Sequence, residues 1–96
     1  MATYIALVNW TDQGVRNVKD SPARVDAIRK LAKKLGCEFK DLYLTIGTYD
    51  IVVHIEAPDD ETMARLALTI ASAGNVRTTT LKALPEATFR KIAAAL

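Results

Sequence analysis

The sequence predicts one α+β domain, a four-stranded antiparallel sheet with helices on one face. Three observations carry this. Ninety-six residues give room for one core and too little for two. Four strand-like stretches occur, two of them separated by only a short turn, while apolar stripes at helical spacing separate the others. Half the residues are apolar and a quarter charged, the balance of a folded chain rather than a disordered one.

Thr3 to Trp10 is rich in β-branched and aromatic residues and reads as the first strand. Thr11-Asp12-Gln13-Gly14 breaks that pattern with turn-forming residues. Ser21-Pro22 opens a helix, with serine as cap and proline where its missing N–H costs nothing. Val25, Ile28, Leu31, Ala32 and Leu35 give that helix one apolar stripe, and Gly36 stops it. In the second strand, Glu38 to Ile46, Leu42, Leu44 and Ile46 alternate with Asp41, Tyr43 and Thr45. Gly47-Thr48-Tyr49-Asp50 connects it to a third strand, Asp50 to Ala57, where Ile51, Val53 and Ile55 alternate with Val52, His54 and Glu56.

Pro58-Asp59-Asp60-Glu61 starts a second helix, its acids matched to the positive end of the helix dipole. Met63, Leu66, Ala67 and Ile70 form its stripe, and Gly74-Asn75 ends it. Val76 to Leu84 is the fourth strand. Pro85 begins a last helix with Phe89, Ile92, Ala93 and Leu96 on one face. The order β-α-β-β-α-β-α is the split βαβ or ferredoxin-like pattern with an added C-terminal helix, over residues 1–96 as one unit.

That topology fixes strand directions. The end of the first strand, the Gly47–Asp50 hairpin and the start of the fourth strand then share one rim. Trp10, Gln13, Tyr49, Asp50, Asn75 and Arg77 gather there, although they are scattered in sequence. The helices cover one face only, and the other carries Tyr43, Thr45, Val52, His54 and Glu56. Such a face is too apolar to be wholly solvated and too polar for a dry core. Pairing sheet to sheet would cover it, so a homo-oligomer is expected.

The motifs also carry a resemblance over essentially the whole chain. Gly47, Tyr49 and Asp50, with Trp10-Thr11-Asp12-Gln13-Gly14, Lys19-Asp20-Ser21-Pro22, Glu56-Ala57-Pro58-Asp59-Asp60-Glu61 and Gly74-Asn75-Val76-Arg77-Thr78, resemble the GYD-domain family. The resemblance implies a ferredoxin-like fold of the dimeric α+β barrel type. It supplies no activity, because the family has no agreed catalytic residues. Related barrels span cofactor-free monooxygenases, isomerases, haem enzymes and ligand-sensing domains.

Two classes of function stay open. In the first, Trp10, Gln13, Tyr49, Asp50 and Arg77 bind a small ligand, an anionic one included, at the rim or between paired sheets; a tryptophan and an arginine together suit an anion. An Arg77–Asp50 ion pair roofed by Trp10 would explain the same residues structurally. In the second, His54, the one histidine, acts as general base with Glu56 two residues along the strand and Tyr43 nearby, in a cofactor-independent enzyme. A hydrogen-bonded interface histidine is the structural alternative.

No metal is expected, since Asp59, Asp60 and Glu61 are explained by capping and one histidine and one cysteine add little ligation. No cofactor is expected either: His54 alone would have to ligate a haem. The net charge of +2 is too small to imply nucleic acid, and the basic face of Arg24, Arg29, Lys30, Lys33 and Lys34 reads as solvated. No apolar run approaches the ~20 residues of a membrane span. Lone Cys37 and the missing basic-then-apolar leader at the amino end make the cytoplasm the expected location.

Overall fold

A computed structural model describes residues 1–96. Its elements are β1 (Ala2–Trp10), α1 (Asp12–Arg16), a 3₁₀ turn (Val18–Asp20), α2 (Ser21–Lys34), β2 (Glu38–Leu44), β3 (Ile51–Ala57), α3 (Asp60–Ser72), β4 (Val76–Ala83) and α4 (Glu86–Ala94). The strands form one sheet in the order β2-β3-β1-β4, every neighbouring pair antiparallel. This is the ferredoxin-like arrangement that the element order predicts, with both βαβ halves feeding one sheet.

Alternation decides what each strand buries. Tyr4, Ala6 and Val8 of β1 and Val53, Ile55 and Ala57 of β3 point inward, joined by Met63 and Leu66 of α3 and Ala32 of α2. Gly36, at φ +82°, ends α2 as the helix stripe predicts, letting the Cys37 N–H turn back to the Ala32 carbonyl at 2.8 Å.

Four local readings need correcting. Thr11 to Gly14 is no open turn: Thr11 caps the short helix α1, and its side chain accepts a bond from the Gly14 N–H. Ser21 is the first residue of α2 rather than its cap; Asp20 holds that place and makes no capping bond. β2 ends at Leu44, two residues short of the predicted Ile46. The strand also shifts register between Phe39 and Leu42, since Phe39 faces Ile55 while Leu42 faces Val53. The extra residue lets Phe39 and Leu42 both face the helices. Leu44 and Ile46, expected inside with Leu42, lie past the covered part of the sheet and are exposed.

The chain exposes more surface than its mass warrants. Its accessible area is 6571 Å², against about 5,400 Å² for an ordinary monomer of this size. The radius of gyration is 14.5 Å, where roughly 12.5 Å is usual. None of the residues of α4 is buried, and the sheet face away from α2 and α3 carries no helix.

Candidate functional site

The rim is a knot of backbone contacts made by the motif residues. The Thr11 N–H donates to the Asn75 carbonyl at 3.0 Å, and the Thr11 hydroxyl donates to the Gly74 carbonyl. Gln13 Nε2 donates to Ala73 O at 3.2 Å and Asn75 Oδ1 at 3.0 Å. Gly14 must be glycine here, because a Cβ would lie 1.9 Å from the Asn75 carbonyl oxygen. The start of α1 is thus pressed onto the turn before β4.

Asp50 ties the hairpin to the same place. Its N–H donates to Val8 O at 2.9 Å, and its carboxylate accepts the Trp10 N–H at 3.0 Å, extending the β1–β3 ladder. The Thr45 N–H and hydroxyl close the hairpin onto the carbonyls of Asp50 and Tyr49. Gly47 takes a positive φ, +146°, which glycine adopts without steric cost. Tyr49 is half-buried in this turn.

Strand parity divides the remaining rim residues. Trp10 pairs with Val76 on the helix side of the sheet, whereas Arg77 pairs with Asn9 on the open side. Arg77 is exposed and makes no ion pair with Asp50, so the Trp10-roofed Arg77–Asp50 bridge does not form. Of the predicted ligand residues the structure brings Gln13, Asp50 and the backbone of Trp10 into one network, and leaves Arg77 outside it.

Trp10 faces something that the sequence does not announce. Between α2, α3 and the sheet lies a cavity of about 270 Å³, lined mostly by apolar side chains. Ala6, Val8, Thr78 and Thr80 form its floor, Ile28 and Ile70 its walls, and Trp10 and Arg24 also line it. The space exists because the floor residues are small and because α2 buries only Ala32. Arg24 reaches back to Asn17 O at 3.2 Å and Ser21 Oγ at 3.0 Å, with a longer contact to Gly14 O at 3.5 Å. All three partners are neutral.

On the open face, His54 Nε2 and Glu56 Oε2 are 2.7 Å apart, with side-chain exposures of 35% and 19%. The Thr3 hydroxyl, across on β1, and then His54 hold the Glu56 carboxyl below its ordinary range. Tyr43 pairs with Val52, one step toward the rim, and is exposed. Ile5, Leu7 and Leu81 share the face through the β1–β4 and β1–β3 registers. The three proposed catalytic side chains therefore share one surface, with only His54 and Glu56 in contact.

The far end of the sheet holds a cluster that the sequence reading missed. The Tyr4 hydroxyl donates to the Asp60 carboxylate, which also meets Lys82 Nζ at 3.0 Å. That bond first, and burial second, push the Tyr4 phenol up to about 12. A tyrosine at an inward position of β1 opposite Lys82 was the available signal. No three His, Cys, Asp or Glu side chains converge as metal ligands would, and no helix is long and apolar enough to cross a membrane.

An antiparallel ferredoxin-like sheet with a clamped rim, a cavity under its helices and a bare back of mixed polarity defines a small α+β domain, a fold that does not by itself assign a function. The chain belongs to the GYD domain family, whose pattern matches residues 4–93. It is 38% identical over 88 residues to a Thermus thermophilus protein named glutamine synthetase and cystathionine beta-lyase binding protein, covering 91% of this chain and 93% of the relative. It is also similar in fold to the crystal structure of MtbAldR, with a TM-score of 0.68 at 16% identity. That match covers 88% of this chain but only 52% of the AldR chain.

Proposed function

We propose that this protein is a small homo-oligomeric binding module that pairs through its open sheet face and engages other proteins, with a small ligand as a second input. The observation that carries it is the surplus surface. The 6571 Å² exposed exceed the ordinary monomer value by roughly 1,100 Å², and the bare face presents Ile5, Leu7, Val52, Tyr43 and Leu81 together. A face of this kind marks an interaction site. Sheet-to-sheet pairing covers it and completes a barrel. The Thermus relative, named for binding two enzymes, supports protein partners of that kind here, and a cytoplasmic setting goes with them.

The rim assignments enter this reading with altered roles. Gln13 and Asp50 shape the rim by holding backbone, Tyr49 packs the hairpin, Trp10 lines the cavity, and Arg77 serves the open face. Sedimentation velocity at micromolar concentration tests the pairing. Wild type is expected to run as a dimer or larger, and Leu7→Asp as a folded monomer. A wild-type monomer would overturn the assembly.

One observation favours a second reading, a cofactor-independent enzyme. The 2.7 Å His54–Glu56 contact can orient an imidazole as general base inside the paired barrel, with Tyr43 as a neighbouring hydroxyl. On this reading His54→Ala abolishes turnover of a small organic substrate while leaving the sedimentation profile intact. Unchanged turnover in that variant would remove His54 from any chemistry.

A further inference from the structure

The cavity beneath α2 and the charge at its edge are independent observations with one joint meaning. The cavity, about 270 Å³, is roofed by the helices and lined mostly by apolar side chains. An apolar space of about 150 Å³ accepts a benzene ring, so this one has room for a ring with a short chain. Its occupant must be largely apolar, since the floor offers few polar groups beyond the hydroxyls of Thr78 and Thr80.

Arg24 adds a second requirement. Arg24 is half-buried and lines the cavity, and its guanidinium is held only by neutral oxygens of Asn17, Ser21 and Gly14. None of the ion pairs in the structure involves it. A planar guanidinium without a carboxylate partner, beside an apolar space, suits a carboxylate with an apolar body. Trp10, also lining the space, is positioned by the Asp50 bond to its N–H and supplies a flat face for a ring.

We propose that the cavity between α2, α3 and the sheet binds a small aromatic or aliphatic carboxylic acid, its body against Ala6, Ile28, Ala67 and Ile70 and its carboxylate at Arg24. The proposal deepens the ligand half of the reading above and rests on it, while being independent of the sheet pairing. It places the site under the helices of the domain rather than at the strand-end rim or between paired sheets, with Trp10 the one predicted ligand residue that takes part.

Methyl-labelled NMR of the full chain tests it, with 4-phenylbutanoate as probe and its neutral amide as control, both taken to millimolar concentration. Ile28 and Ile70 line the cavity, whereas Ile5 lies on the open face, so the methyl that shifts reports the site. The acid is expected to shift Ile28 and Ile70, leave Ile5 still, and bind about tenfold more tightly than the amide, the worth of one charge-assisted contact. Arg24→Gln should erase that preference, and Ala67→Leu, which fills the space, should abolish both shifts. If Arg24→Gln does not fold, the acid–amide ratio in wild type and the Ala67→Leu variant still decide. Equal binding of acid and amide, shifts at Ile5 in place of Ile28, or no shift at all would overturn the proposal. Sedimentation of the same samples keeps the two readings apart: a monomer that shifts at Ile28 retains the cavity site and loses the pairing, and a dimer that does not shift does the reverse.

Discussion

α2 and α3 occupy equivalent places in the two halves of the fold, yet they sit on the sheet differently. α3 buries Met63 and Leu66, its N-terminus is capped by Asp59 accepting the Thr62 N–H at 2.8 Å, and Tyr4 ropes its first residue, Asp60, to β1. α2 buries only Ala32 and begins from a 3₁₀ turn without a side-chain cap. Its apolar stripe meets the sheet incompletely, which is why Ile28 lines a cavity rather than a seam. One helix holds the domain together, and the other leaves a space. The difference shows how a symmetric plan can seat its two halves unequally.

The sharpest way to break this comparison is to truncate both stripes. Leu66→Ala is expected to cost about 3–5 kcal/mol, because Leu66 is fully buried and truncation there leaves a cavity in the core. Ile28→Ala should cost about 1 kcal/mol, since its side chain already borders empty space. Urea unfolding measures both, and equal losses would mean that α2 is as deeply seated as α3.

Gly14→Ala tests what α2 hangs from. The added methyl would collide with the Asn75 carbonyl, so a loss of about 2–3 kcal/mol is expected as the two turns separate. In hydrogen exchange the change should fall on the amides of α1 and the start of α2, and those within α3 should stay protected. Uniform loss of protection would show that the rim knot supports the whole fold rather than one helix.

The smallest expected effect sharpens the α3 side. Tyr4→Phe removes the bond to Asp60 and should cost about 1 kcal/mol. Because the folded phenol is raised to about 12 from its ordinary 10, its contribution is complete below pH 10 and is lost as the pH climbs through 12. The alkaline fall in stability should therefore be shallower in the variant. Tyrosinate absorbance in wild type should show one late ionisation, absent from Tyr4→Phe, and a tyrosine signal complete by about pH 11 would contradict the Asp60 bond.

Much of the architecture could be read from residues alone. The alternation of Ile51, Val53 and Ile55 placed β3 correctly because it is a central strand between two neighbours, where parity is strictly enforced. Strand directions also brought Trp10, Gln13 and Asp50 to one rim. β2 misled because it is an edge strand whose bulge resets parity after Phe39. α1 stayed hidden because five residues with a glycine among them carry no helical period. Parity separates Trp10 from Arg77 even in the sequence, since even-numbered residues of β1 face inward and Arg77 pairs with odd-numbered Asn9. The cavity lay beyond sequence reading, because its volume depends on how high α2 rides. The one trace was threonine at the inward positions Thr78 and Thr80, where a sealed core calls for valine or isoleucine.

α4 closes the chain with Phe89 64% and Ile92 46% exposed. At nine residues it is shorter than the ~12–15 that an isolated helix needs to persist in water. A surface that received that stripe would raise its helicity. Were a second copy to supply that surface, far-ultraviolet circular dichroism would strengthen with protein concentration, and α4 would serve as a built-in gauge of association, helical with a host and frayed without one.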